Sequence, residues 1–405
     1  HTPFTEGGLR LSMDARMQTA ARVHEIAPFH VMEVQTAARA LEAAGRSVIH
    51  MEIGEPDFPT PAPVVAAAQT GIASGAIYYT SALGLPKLRE AIAAHYGTHY
   101  GVRIPAERII VTAGSSAALL LTLGLLVNRD AQIILADPGY PCTRHLVRTM
   151  EGEPLGIPVG PASNYQLTAQ LIADAWGPQT RGALIASPSN PTGTMVSHEE
   201  IGRIAEVVGA RDGTLIVDEI YLGLSYAEAP RSALSVADDL FVVSSFSKYF
   251  NMTGWRLGWL VAPERHVRDL EKLAQNLYIS PPTPSQLAAL ACFEPETLEI
   301  LETRRREFRA RRDFLVPALR DLGFGIPVMP TGGFFIYADC SRFGMDGERF
   351  ALAALEATGV AFTPGIDFGR YRADAHVRFA YTIAREKLEE GVRRLAAWLP
   401  TLAPA

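Results

Sequence analysis

Between about residues 105 and 265, short apolar runs alternate with longer segments whose apolar positions recur every three to four residues. The runs are Ile109–Thr112, Gln132–Ala136, Ala183–Ala186, Thr214–Val217, Leu240–Val243 and Leu257–Val261. Four to six residues of nearly unbroken apolar character predict strands buried on both faces, and the segments between them, such as Ser197–Ala210, predict helices. Ser197 followed by Glu200 has the form of a capping box. Strands alternating with helices imply an α/β domain built on a mostly parallel sheet.

The pattern changes after the prolines at 281, 282 and 284. A long helix is expected over Glu296–Leu322, where Arg304, Arg305, Arg306, Arg309, Arg311 and Arg312 mix with Glu302, Glu307 and Asp313. That mixture reads as a solvated, salt-bridged helix face rather than a nucleic-acid patch. Strands expected at Gly333–Ala338 and His376–Tyr381, with helices between them, describe a smaller α+β unit. A helix expected over Phe29–Ala44 packs against that unit or bridges to the other. The divisions are residues 1–58 (an arm and part of the small domain), 59–283 (the large domain) and 284–405 (the small C-terminal domain).

At 405 residues the chain exceeds the size at which one core usually stops growing. Its formal net charge of -6 lacks the basic footprint of a nucleic-acid binder. Cys142, Cys292 and Cys340 lie far apart without CxxC spacing, which points to a reducing cytoplasm rather than a disulfide or zinc framework. The most apolar run, Ala117–Val127, is interrupted by Thr122 and Gly124 and falls short of the roughly 20 residues of a membrane span. The first residues have no signal-peptide pattern, and Met13 is a candidate natural start. His95 and His99 are four apart but no HExxH surrounds them, so no metal site is expected.

The candidate chemistry sits where the strands end, which is where open α/β sheets bind ligands. After Leu240–Val243 comes Ser-Ser-Phe-Ser-Lys-Tyr-Phe-Asn-Met-Thr-Gly-Trp-Arg over residues 244–256. The amine of Lys248 can form an imine with an aldehyde, and Arg256 can grip a phosphate through paired hydrogen bonds. Pyridoxal 5'-phosphate carries both groups. Val111–Ala118 is a strand, a small-residue turn and a helix start. Its backbone around Gly114, with Ser115 and Ser116, can hold an anion. It has neither the P-loop nor the GxGxxG pattern. Asp137–Pro141 places Tyr140 to stack on a ring or simply to shape a turn. Ser187–Gly193 holds Asn190 in a proline-fixed loop. Asp218, at the end of Leu215–Val217, needs a partner for its buried charge: a protonated pyridine nitrogen, or a magnesium ion whose accompanying P-loop is absent.

In this order the segments resemble the fold-type I, class I/II pyridoxal-phosphate-dependent aminotransferases, the aspartate aminotransferase superfamily. The resemblance includes Gly-Glu-Pro-Asp-Phe-Pro-Thr-Pro at 54–61, Tyr79–Arg89 and Val377–Tyr381, and covers roughly residues 25–400. It implies a large domain with a mostly parallel seven-stranded sheet and a smaller α+β domain. It implies Lys248 as the Schiff-base lysine and proton shuttle. Arg256, Ser245, Ser247, Ser115, Ser116 and the backbone at Gly114 would bind phosphate. Tyr140 would stack on the pyridine, Asp218 face its nitrogen, and Asn190 and Tyr221 its phenolate oxygen. Arg378, with Asn190 and the Gly54 N–H, would take the substrate carboxylate. Tyr79 would reach the neighbouring subunit's phosphate, implying a homodimer with shared sites.

The implied reaction is ping-pong transfer of an amino group from an L-amino acid to a 2-oxo acid. Ser116 stands where some aspartate-using relatives carry a lysine, and Asn276–Pro282 offers no second arginine. Neutral or aromatic donors are therefore expected, with 2-oxoglutarate or pyruvate as acceptor. A carbon–sulfur β-lyase uses the same cofactor residues and is the alternative. A DNA-binding regulator is not expected, because about 25 residues before the resemblance starts leave no room for its N-terminal domain, and a dinucleotide oxidoreductase is not expected without its glycine fingerprint.

Overall fold

All six apolar runs enter one sheet. In a computed structural model, which describes residues 19–226 and 229–402, the strands are β1 (Ile49–His50), β2 (Ile109–Thr112), β3 (Gln132–Asp137), β4 (Glu153–Pro158), β5 (Thr180–Ala186) and β6 (Thr214–Asp218), then β7 (Phe241–Ser245), β8 (Gly258–Val261), β9 (Phe335–Asp339), β10 (Val360–Ala361), β11 (Thr363–Pro364) and β12 (His376–Ala380). The candidate start at Met13 lies outside the described residues. The seven-stranded sheet has the order β2-β8-β7-β6-β5-β3-β4, and only β8 runs against its neighbours.

Alternation along these strands feeds two cores. Ile109, Val111, Ile134, Ile185, Val217 and Val242 face one, while Ile110, Ile133, Leu135, Leu184, Ile216 and Val243 face the other. Coverage on both faces is why the runs carry no polar alternation. The pattern gave no signal for β4, which contains Pro154, Gly156 and Pro158. It is an edge strand pairing only with β3, so its missing donors cost little.

Two local expectations change. The helix His198–Gly209 is capped by Ser197, whose hydroxyl accepts from the Glu200 N–H at 3.2 Å, but the Glu200 carboxylate turns away to the Ala169 N–H at 2.7 Å. Only half of the capping box forms, because a neighbouring helix start competes for the carboxylate. The long helix Pro295–Asp321 is not solvated along its whole arginine face. Arg311 is buried and bonds Asp57 at 2.8 Å and Glu307 at 3.0 Å, and Arg312 donates to the Pro330 carbonyl at 2.7 Å. These guanidiniums knit the helix to the 54–61 loop and to the segment before β9.

The smaller unit holds the antiparallel sheet β11-β12-β9 and the parallel pair β1-β10. The N-terminal helix α1 (Val31–Ala43) packs on this unit, with Val34 and Ala38 against Leu355 and Ala361. The division at 58/59 falls in coil before the helix Ala62–Ala73, and that at 283/284 in the first turn of the helix Thr283–Ala289. Among the described residues no helix is long and apolar enough to cross a membrane.

Candidate active site

The carboxyl ends of β5, β6 and β7 meet β12 of the smaller unit around a cavity of about 200 Å³. Lys248, Asp218, Asn190, Tyr221, Tyr140, Gly54 and Arg378 all line it, with Phe335 and Phe368 between them. It shares Tyr140, Ala186, Asp218 and Phe368 with a larger cavity of about 790 Å³.

Asp218 closes β6 and is buried. Among the described residues the only hydrogen bond to its carboxylate comes from the Ile220 N–H at 3.1 Å. Burial raises its pKa to about 7, against smaller lowering effects from that N–H and from Lys248. Its neighbour Glu219 is equally buried, but both its oxygens are used, by the Ser232 hydroxyl (2.8 Å) and the Ala233 N–H (2.6 Å). Glu219 is therefore a structural carboxylate, whereas Asp218 keeps acceptor capacity directed at the cavity.

Lys248 follows β7 and donates to the Gly54 carbonyl at 2.8 Å. Desolvation lowers its pKa to about 8. Glu55 and Asp218 oppose the shift, and Arg378 and Arg256 reinforce it. Arg378, on β12, donates to Asn190 Oδ1 (2.9 Å), the Glu52 carbonyl (2.8 Å) and Thr363 Oγ1 (3.3 Å). Phe335 and Phe368 lie 4.1 and 4.8 Å from its guanidinium carbon. Burial brings its pKa down to about 10, so it stays cationic at neutral pH. Tyr221 is buried, with its ring edge-on to Phe334 and Phe335. The Tyr140 hydroxyl accepts from the Cys142 thiol at 3.1 Å.

The Arg256 guanidinium donates to the Thr253 carbonyl (2.9 Å) and Ser247 Oγ (3.4 Å) and forms no ion pair among the described residues. It lies against the turn joining β2 to the helix Gly114–Leu126. A Cβ on Gly114 would sit 2.6 Å from Arg256 Nη2, and Gly114 has φ +78°. Only glycine suits that place. Ser115 is half-buried and Ser116 exposed. Ser245 is buried, and its hydroxyl accepts from the Ser247 N–H at 3.0 Å. Tyr79 does not line the cavity, and it is 80% exposed.

Sequence reasoning passed over Glu52, Asp367, Phe335 and Phe368, which also line the cavity. A signal for Glu52 existed: an acid inside the apolar stretch Val48–Ile53. Asp367 accepts from the His30 and Val31 N–H groups at 2.7 and 2.9 Å and so fixes the start of α1.

The family model "Aminotransferase class I and II" matches residues 46–395. A valine–pyruvate aminotransferase from Mycobacterium tuberculosis is 38% identical, over 93% of this chain and 97% of that protein. A crystal structure of an aminotransferase from M. tuberculosis superposes with a TM-score of 0.91 at 38% identity, covering 95% of this chain and 99% of the other. An aspartate aminotransferase from Thermus thermophilus, solved with maleate, gives 0.88 at 30% identity, with 94% and 99% covered.

Proposed function

As the chain belongs to the class I and II aminotransferases, and so moves amino groups between amino acids and 2-oxo acids, we propose that it does this with pyridoxal 5'-phosphate held around Lys248. The residues fit that group. The observation that carries the reading is Asp218, a buried carboxylate with one backbone donor and unused acceptor capacity aimed into the cavity. A protonated pyridine nitrogen is the partner its charge calls for.

Arg256, the helix start at Gly114 and the hydroxyls of Ser115, Ser116, Ser245 and Ser247 would hold the phosphate, a unit of nearly two negative charges suited to a guanidinium and a helix N-terminus. Tyr140 would cover the ring, and Asn190 and Tyr221 would face the phenolate oxygen. Lys248 would hold the aldehyde carbon. When bound, the cofactor supplies a sink for the electron pair left as the substrate's α-C–H bond breaks.

The chain's own residues do the rest. Arg378 clamps the α-carboxylate, its plane fixed by Phe335, Phe368 and Asn190 and helped by the backbone at Gly54. This aims the α-hydrogen at Lys248. With its pKa brought down to about 8, that amine has a substantial neutral fraction near neutral pH, so it can take the proton and return it. Two such half-reactions in sequence give ping-pong kinetics. The donor is non-acidic, since neither Ser116 nor Asn276–Pro282 offers a second cation for a distal carboxylate.

Tyr79, exposed and outside its own cavity, would complete the phosphate site of a second copy. The functional unit is then a homodimer. Cys142, Cys292 and Cys340 are free thiols, which supports a reducing compartment such as the cytoplasm.

The test is turnover of an amino donor with pyruvate or 2-oxoglutarate by Lys248→Ala. Loss of about 10²–10⁴-fold is expected, together with loss of the visible absorption that pyridoxal phosphate acquires when an amine captures it. Unchanged turnover would overturn the reading.

A further inference from the structure

The cavity contains a second carboxylate that the mechanism above does not use. Glu52 follows β1 and is 0% exposed, yet it lines the cavity beside Arg378, Gly54 and Lys248. One of its oxygens, Oε1, accepts from His50 Nδ1 at 2.8 Å. The other, Oε2, has no hydrogen-bond partner. The backbone carbonyl of Glu52 is fully engaged, by Arg378 Nη2 at 2.8 Å and Thr363 Oγ1 at 3.3 Å.

A carboxylate only accepts, and a buried oxygen left without a donor is costly. No described protein group donates a hydrogen bond to that oxygen, although His50 and Arg378 lie close enough to offset part of the carboxylate's charge. His50 serves Oε1 alone, and its far nitrogen is turned to Glu42 of α1 at 3.1 Å. His50 is held protonated by these two acids, with a pKa raised to about 9 chiefly by the Glu52 hydrogen bond. Phe29, Val31 and Gln35 at the start of α1 close the same side of the cavity. Asp367, the other acid on this wall, has both oxygens occupied by the His30 and Val31 N–H groups.

We infer that Glu52 is a specificity-determining residue, whose Oε2 accepts a hydrogen bond from a cationic nitrogen at the far end of the donor's side chain. The substrate class is then basic amino acids, those ending in an ammonium or guanidinium. The inference rests on the reading that Arg378 takes the α-carboxylate, which leaves the distal end of the substrate to the Glu52 side. It replaces the expectation of a neutral or aromatic donor and agrees with exclusion of an acidic one, because a second carboxylate here would face Glu52 across a dry wall.

The experiment uses the protein loaded with pyridoxal phosphate and compares ornithine, lysine and arginine with norvaline, norleucine and alanine, pyruvate being the acceptor. Wild type is expected to favour the basic donors by about 10- to 100-fold in kcat/KM, the value of one charge-assisted hydrogen bond. Glu52→Gln should erase that preference while changing norleucine turnover less than about threefold. A reaction-independent readout is the dissociation constant of α-methylornithine, which lacks the α-hydrogen. It should rise about 10- to 100-fold in Glu52→Gln, while that of α-methylnorvaline stays level. Preference of wild type for norleucine over lysine, or an equal loss for every donor in Glu52→Gln, overturns the assignment and leaves the aminotransferase reading standing. If wild type turns over none of the donors, the aminotransferase reading fails first.

Discussion

Two buried acids in neighbouring places divide labour by what their oxygens touch. Glu219 is sealed by a hydroxyl and a backbone donor, whereas Asp218 keeps acceptor capacity for something in the cavity. His50 shows how a residue outside the reaction is tuned. Its folded pKa of about 9 lies above the ordinary 6.5, so its ion pairs contribute stability that is complete below pH 6.5 and lost as pH rises through about 9. Thermal melts of the wild type and His50→Gln should therefore differ most below pH 6.5 and converge above pH 9. A gap that is constant with pH would refute the linkage. Lys248, Arg256, Asp218 and Asn190 were singled out because each stands in a run of small or strand-ending residues whose chemistry is local, and Arg378 was singled out only through the family resemblance. Glu52 was not. His50 stands only two residues away, but the meaning of Glu52 depends also on Glu42 and on a cavity wall built by α1, which its neighbours in sequence do not show.

At the scale of elements, the buried strands were legible because both faces of the sheet are covered and the apolar runs are unbroken. The edge strand β4 was hidden by Pro154 and Pro158, which an edge tolerates. The long arginine helix was half misread. Charge spacing along it describes a surface, but Arg311 and Arg312 are buried and reach partners outside the helix, Asp57 and the Pro330 carbonyl. The turn from β2 into the helix Gly114–Leu126 carries its own prediction. Gly114→Ala would force a left-handed alanine and drive its Cβ to 2.6 Å from Arg256 Nη2. The dissociation constant for pyridoxal phosphate should rise about 10- to 100-fold, with circular dichroism unchanged. Retained affinity would mean that the turn and Arg256 are not a shared phosphate cradle.

For the molecule as a whole, the proposed homodimer has a surface to account for around Tyr79. Tyr78 and Tyr79 are 77% and 80% exposed, with Ile72, Ile77, Leu277 and Ile279 also exposed. The Thr283 hydroxyl ties the Tyr78 carbonyl to the 281–286 segment at 2.6 Å. These are the apolar side chains that the second copy of the proposed homodimer would cover. Sedimentation equilibrium at micromolar concentration should give about twice 43.9 kDa. Tyr79→Phe should weaken phosphate retention without changing that mass. A monomer that is fully active would end the shared-site proposal.

The helix α1 closes one wall of the reaction chamber but adds no strand to either sheet. It is fastened by Asp367 at its start and by the Glu42–His50 pair near its end. Proteolytic trimming that removes it would leave the sheets, the lysine and the phosphate cradle in place. Such a shortened polypeptide should still exchange amino groups, slowly and with little regard for which side chain it is offered. On the proposal that Glu52 reads the side chain, the helix serves to hold in place the wall against which that reading is made.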